Sequence, residues 1–311
     1  MTMKIVFMGT PDFAVPCLKW LAESGHEIAA VFTQPDKPKG RGYKLIPTPV
    51  KAAAQEYGIP VYQPTSLRKG DEAAEAYEIL KNIAPELIVV TAYGQILPKT
   101  ILDLPKYGCV NIHASILPKY RGAAPINWVL LNGEAETGVT SQQMGEGLDT
   151  GDMLIIHKTK IGGNETYSEL YERLSVMGGD VLAETISAIE NGTLAPEKQD
   201  DSLSCYSPMI TKDMSALDFS KTAAEIHNTI RGVTGFTTLG GKRLKVFKSE
   251  ISDKIAPDAA NGEIIDEKNL TVKCGDGHAV IFREVQPEGK KRMKTEDFLR
   301  GNKLAKGDLL G

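Results

Sequence analysis

Lys4-Ile5-Val6-Phe7-Met8-Gly9-Thr10-Pro11-Asp12-Phe13 decides the architecture. After Lys4 the run is apolar without polar alternation, as expected of a strand covered on both faces. The Gly-Thr-Pro-Asp turn that stops it opens a helical stretch over residues 13–24. The same texture returns at Leu87-Ile88-Val89-Val90, a second central strand. Residues 28–33, 109–114, 139–144 and 153–157 read as further strands, with helical patterns at 49–57, 71–83 and 124–131. That alternation predicts an α/β domain over residues 1–192, a Rossmann-like, mostly parallel sheet with helices on its faces. The first turn carries one glycine where a dinucleotide-binding fingerprint has three, so close backbone approach to a pyrophosphate is not encoded.

Farther along, Thr166 and Glu169 have the spacing of a capping box and open a helix with Tyr167, Leu170, Tyr171 and Leu174 inward. Gly178-Gly179 is expected to bend or split it before a second stretch over 181–190, which ends at Asn191-Gly192. Residues 193–212 lack sustained periodicity and read as a linker. Beyond it, a helix over 222–231 and short strands at 243–248, 262–265, 270–274 and 279–285 predict a smaller OB-like β-barrel over 213–311.

At 311 residues, 41% hydrophobic and 24% charged, the composition excludes a disordered or collagenous chain. Apolar runs are too short for a membrane span or a signal core, so a cytoplasmic protein acting as a monomer is expected. Cys17, Cys109, Cys205 and Cys274 are dispersed, without a Cys-x-x-Cys pair, and read as reduced thiols. His26, His157, His227 and His278 have no neighbour at metal-ligand spacing, and no metal is expected. The net charge of −4 hides an asymmetry: residues 1–206 hold 18 Lys and Arg against 25 Asp and Glu, residues 207–311 hold 18 against 15. Cations cluster at Lys37, Lys39, Arg41 and Lys44 on a Gly/Pro-rich loop, at Lys242-Arg243-Leu244-Lys245 with Lys248, and at Lys290-Lys291-Arg292-Met293-Lys294. Such clusters suit a polyanion, although a solvated surface explains each one equally well.

The segment richest in chemistry is Cys109-Val110-Asn111-Ile112-His113-Ala114-Ser115-Ile116-Leu117-Pro118. Residues two apart on a strand share a face, so Asn111 and His113 point the same way near the carboxyl end of a parallel strand, where open α/β sheets bind ligands. An amide and an imidazole side by side can both donate to one oxygen, as the oxyanion of a tetrahedral carbon requires. Taken alone, the pair also fits a core histidine and a turn-closing asparagine. Leu148-Asp149-Thr150-Gly151-Asp152 follows the 139–144 strand and can bring a carboxylate to His113, or form no more than an Asx-turn. With no Gly-x-Ser-x-Gly elbow, direct transfer is favoured over an acyl-enzyme.

Together with Gly9-Thr10-Pro11-Asp12-Phe13-Ala14, Ala92-Tyr93-Gly94 and Arg121-Gly122-Ala123-Ala124-Pro125-Ile126, these segments resemble the formyltetrahydrofolate-dependent formyltransferases, over nearly the whole chain. The basic loop and the later strands resemble the branch acting on methionyl-tRNA. The resemblance implies formyl transfer from 10-formyltetrahydrofolate to the α-amine of methionyl initiator tRNA. Asn111 and His113 would polarise the formyl carbonyl, and Asp149 would orient His113 and help remove the amine proton. Ser115, Ile116, Leu117 and Pro118 would form part of the folate site. Lys37, Lys39, Arg41 and Lys44 would enter the acceptor end of the tRNA, and the second domain would hold the stem by its phosphates. The usual Asn-Pro-Trp-Pro after Ile230-Arg231-Gly232 is replaced by Val233-Thr234-Gly235-Phe236-Thr237. Rival readings are a formyltransferase for a sugar nucleotide or other small amine, an RNA-binding protein without catalysis, and a hydrolase of the formyl donor.

Overall fold

The computed structural model describes residues 2–39 and 44–311. The strands are β1 (Lys4–Gly9) and β2 (Glu27–Phe32), a ribbon of β3 (Lys37–Lys39) and β4 (Lys44–Ile46), then β5 (Val61–Tyr62), β6 (Leu87–Thr91), β7 (Cys109–His113), β8 (Glu136–Gln143) and β9 (Met153–Lys160). Apart from the ribbon they form one seven-stranded sheet in the order β5-β2-β1-β6-β7-β8-β9. The pairs from β5 to β7 are parallel, and β8 runs antiparallel to β7. The apolar runs around Phe7 and Val89 occupy the middle of this sheet, and Ile5 to Met8 and Leu87 to Val89 are fully buried. Burying side chains of this size stabilises a fold by about 1.5–3 kcal/mol each.

Helices α1 (Val15–Glu23), α2 (Pro49–Glu56), α3 (Asp71–Ile83) and α4 (Lys99–Leu102) follow the β-α rhythm. A one-turn helix over Asp12–Ala14 precedes α1, while α5 (Pro125–Leu131) and α6 (Tyr167–Asn191) come later. The Gly178-Gly179 pair does not break α6, which is one helix of 25 residues. A β-carbon at Gly178 would lie 3.3 Å from Ile112 and 3.5 Å from Cys17. The glycine thus lets the helix backbone approach β7 and α1, an explanation that helix propensity alone does not supply. Gly9 likewise serves packing, since its β-carbon would meet Phe7 at 2.8 Å and Ala14 at 2.9 Å.

The chain falls into two compact units. The first comprises residues 1–122, 138–159 and 171–206; the second comprises 123–137, 160–170 and 207–311. In the second unit α7 (Ala223–Val233) starts with a capping box between Thr222 and Glu225 and packs on α5, where Asn127 Nδ2 donates to Gly232 O at 2.8 Å. Its strands are β10 (Gly235–Leu239), β11 (Lys242–Ser252), β12 (Ile264–Asp266), β13 (Thr271–Lys273), β14 (Ala279–Pro287) and β15 (Met293–Lys294), followed by α8 (Thr295–Gly301). They form an antiparallel sheet in the order β10-β11-β14-β13-β12, with β15 on β14. The expected OB-like barrel is therefore not closed by a ladder between β10 and β12 among the described residues. The carboxyl-terminal residues span the gap with single bridges, Leu310 to Leu239 and Leu309 to Glu263. The altered 233–237 segment supplies the start of β10: Thr234 turns with φ 60°, and a β-carbon on Gly235 would meet Leu217 at 2.6 Å. Phe282, Val246, Val272 and Ile230 centre the core of this unit. Among the described residues no helix is long and apolar enough to cross a membrane.

Candidate active site

The site lies in the first unit, at the carboxyl end of β7. β7 pairs with β8 so that Asn111 faces Gln142 and His113 faces Thr140. Period-2 alternation places Asn111 and His113 together as anticipated, His113 buried and Asn111 half-buried. The turn after β8 delivers Asp149 to them. Asn111 Nδ2 donates to Asp149 Oδ1 at 3.2 Å, and His113 Nδ1 stands 3.7 Å from the same oxygen. The other carboxylate oxygen accepts Gly122 N–H at 2.9 Å. Asp149 thus bonds across the fold to residues far away in sequence, which an Asx-turn would not do.

Backbone geometry makes this reach possible. Asp149 has φ 53°, the left-handed region that Asp and Asn enter at less cost than other non-glycine residues. At Gly151 a β-carbon would fall 1.6 Å from the Gln143 carbonyl oxygen, so only glycine fits there. Gln199 Nε2 then donates to the carbonyls of Asp149 at 2.9 Å and Gly151 at 2.7 Å, and Arg121 holds Gln199 through Nε at 2.9 Å. Arg121 in turn meets Asp201 at 2.7 Å. Gln142 Nε2 adds a 2.8 Å bond to Asp149 Oδ1. Gln142, Gln199, Gly122 and Arg121 were not anticipated as parts of the site. The one signal for Gln142 was the polar run Thr140-Ser141-Gln142 inside a strand buried on both faces; Gln199 comes from an aperiodic stretch that carries none.

The imidazole has a defined polarity. Its Nε2 is 2.9 Å from the Tyr120 carbonyl, which can only accept, so Nε2 carries the hydrogen. That assignment leaves Nδ1 as the nitrogen facing Asp149 and available for exchange with a substrate. At 3.7 Å its contact to the carboxylate is longer than a hydrogen bond, so an oxygen or nitrogen can enter beside it. Asn111 keeps a second N–H that bonds nothing among the described residues. One amide donor, one imidazole nitrogen able to take up a proton and one carboxylate therefore meet at one point, an arrangement able to polarise a carbonyl and to accept a proton.

The other anticipated positions are mixed. Ser115 Oγ donates to Lys119 O at 2.8 Å and Thr140 Oγ1 to Ser115 O at 2.7 Å, so the Ser115 side chain braces the loop. Leu117 is buried and precedes a cis Pro118, while Ile116 and Pro118 are half-buried. Lys37 is exposed on the ribbon, where β3 pairs antiparallel with β4, Lys39 opposite Lys44. Arg41 lies outside the described residues. The base of the ribbon is anchored by Asp36, bonded to Lys51 at 2.6 Å and to Gln63 at 2.7 Å. Among the described residues no group of three or more His, Cys, Asp or Glu could hold a metal ion.

Comparison with known proteins decides the family. Residues 3–186 match the model of the formyl transferase family, and residues 209–303 match that of its carboxyl-terminal domain. The chain belongs to the formyl transferase family. This formyl transferase is 50% identical to the methionyl-tRNA formyltransferase of Citrifermentans bemidjiense, over 99% of the chain and 96% of the relative. It is 49% identical to that of Alkaliphilus oremlandii, over 99% and 100%. It groups with the methionyl-tRNA formyltransferases, enzymes that transfer a formyl group. Among solved structures, a sugar 3N-formyl transferase determined with dTDP and 5-N-formyl-THF superposes with a TM-score of 0.69 at 23% identity, covering 94% of this chain and all of the other. An N-formyltransferase from Helicobacter canadensis gives the same score at 24% identity, over 92% and 100%. At those identities the likeness is one of fold.

Proposed function

We propose that the enzyme transfers the formyl group of 10-formyltetrahydrofolate directly to the α-amine of methionyl initiator tRNA, giving N-formylmethionyl-tRNA. The observation that carries the mechanism is the convergence of Asn111 Nδ2 and His113 Nδ1 on Asp149 Oδ1. The amine nitrogen attacks the formyl carbon and forms the new C–N bond, while the carbonyl π pair moves onto oxygen. The second N–H of Asn111 and a protonated His113 Nδ1 hold that oxyanion. Asp149 takes the amine proton, directly or through one water, and stabilises the imidazolium. Collapse restores the carbonyl and breaks the bond to N10 of the folate, which takes up, directly or through water, the proton that Asp149 removed from the amine, so Asp149 returns to its carboxylate form. The loop from Ser115 to Pro118 forms part of the folate site through its backbone and the Ile116 side chain.

Support for the tRNA as acceptor comes from relatives about half identical over nearly the whole chain, and from the run of cations Lys37, Lys39, Arg41 and Lys44 in the sequence. A formyltransferase for a small amine would have no use for those cations. We assign catalysis to residues 1–192, a linker to 193–212 and tRNA binding to 213–311, whose antiparallel sheet is bridged at its open side by Leu309 and Leu310. The enzyme acts as a cytoplasmic monomer. Formylation of purified methionyl initiator tRNA tests the reading, with methionine ester and no acceptor as controls.

A further inference from the structure

A cavity of about 400 Å³ opens within the second unit, apart from the residues given catalytic roles. Its size suits a small organic ligand. One wall is the first turn of α6, Tyr167 to Glu169; another is the end of α7 with Arg231; the rim carries Phe247, Lys248 and Arg292.

Arg231 is the feature that calls for a ligand. The residue is 7% exposed, and burial pulls its pKa below the ordinary arginine value, opposed by Glu165. It nevertheless stays protonated, as arginine does in proteins. Nε donates to Asn228 Oδ1 at 2.9 Å and Nη1 to Gly162 O at 3.2 Å, both neutral acceptors. Nη2 bonds nothing among the described residues, and Glu165, whose carboxylate accepts Gly162 N–H at 2.9 Å, acts on the guanidinium without an ion pair to it among the described residues. A buried charge left in that state is costly unless an anion completes it.

The other cations are already balanced. Lys248 pairs with Glu169 at 2.6 Å, and Arg292 pairs with Glu284. Glu169 is also tied to Thr166, which donates to it through N and Oγ1, so this carboxylate is fully engaged. The helix start favours negative charge beside Arg231. Phe247 lies under the Arg292 guanidinium at 4.3 Å and, with Ile210, gives the cavity an apolar side. A cationic seat beside an aromatic surface suits a phosphate carrying a planar base.

We propose that this cavity binds one nucleotide unit, its phosphate seated on Arg231 at the start of α6 and its base beside Phe247. The nucleotide comes either from the RNA substrate or from a free mononucleotide; the first source rests on the function proposed above and the second does not. Equilibrium binding to the full chain, which requires no turnover, tests both with 5′-CMP and deacylated initiator tRNA as probes, for the wild type, Arg231→Gln and Arg231→Lys. A free-nucleotide site predicts that CMP affinity falls about tenfold in Arg231→Gln and partly recovers in Arg231→Lys, with tRNA binding unchanged. An RNA-derived nucleotide predicts that tRNA affinity falls about tenfold and the salt slope drops by about one in Arg231→Gln. Unchanged affinity for both probes, in a variant with the wild-type circular dichroism and Tm, overturns the proposal. Should Arg231→Gln not fold, the combined Lys248→Gln and Arg292→Gln changes at the rim must weaken the same probe about threefold; no change there overturns it equally.

Discussion

Asp149 is the residue on which the site turns, because its carboxylate is shared by Asn111, Gln142, Gly122 and the approach of His113. Asparagine tolerates the same left-handed backbone, so Asp149→Asn removes the charge while keeping the turn. We expect the variant to keep its Tm within a few degrees and to lose at least about a hundredfold in kcat; thermal melts beside single-turnover rates check this. Asp149→Ala should lose stability as well. Replacing His113 by Ala should cut turnover by about 10²–10⁴-fold and leave tRNA affinity unchanged, which a filter-binding assay reads. The juxtaposition of Asn111, His113 and Asp149 was legible in the sequence. Two residues apart on a strand means one face, and Asp-Thr-Gly after the next strand means a turn at the same edge. Gln199 was not legible, because it reaches the Asp149 and Gly151 carbonyls from a stretch with no period of its own.

At the scale of elements, α6 shows where local propensity misleads. Gly178-Gly179 predicts a break, yet the helix continues because the missing side chains let it settle on Ile112 and Cys17. Alanine at 178 meets those atoms at 3.3 and 3.5 Å, a tight fit offset by its helix propensity, so Gly178→Ala should change stability by less than about 1 kcal/mol. Gly178→Leu overpacks the contact with the strand that bears Asn111 and His113, and should cost about 1–3 kcal/mol in denaturant unfolding. The start of the same helix sets an acid response. Lys248, with help from Thr166, draws the Glu169 carboxyl down to about 2 from the ordinary 4.5. A depressed carboxyl stabilises the fold above its unfolded value and loses that contribution as the pH falls from about 4.5 toward 2. The Asp266 carboxyl, drawn to about 2 chiefly by Asn269 and Lys254, responds in the same direction. The gap in unfolding midpoint between wild type and Glu169→Gln should therefore be widest near neutrality and shrink through that window. A gap independent of pH would contradict the pairing. β10 escaped the sequence reading because Gly235 to Leu239 is a short edge strand, specified by its pairing with β11 more than by its own pattern.

For the whole molecule, the pattern of charge matters more than its sum. A chain of net charge −4 can grip a polyanion only by concentrating its cations, as the sequence from Lys37 to Lys44 and the strand bearing Arg243 and Lys245 do. Lys37→Ala and Arg41→Ala should each weaken tRNA binding and lower the salt slope by about one, measured between 50 and 200 mM salt. The change in texture after residue 212 predicts two parts, and the chain falls into two units with other bounds. The regrouping of 123–137 and 160–170 with the later residues was not readable from the sequence, since it depends on α5 meeting α7 through Asn127 and Gly232. The most direct test of the central claim is formyl transfer from 10-formyltetrahydrofolate to methionyl initiator tRNA, run beside methionine ester and a no-acceptor control, with wild type and Asn111→Ala. The account predicts N-formylmethionyl-tRNA from the wild type only when the charged tRNA is present, with the rate cut by about 10²–10³-fold in Asn111→Ala. Formate release without any acceptor, or an Asn111→Ala enzyme as fast as the wild type, would contradict it.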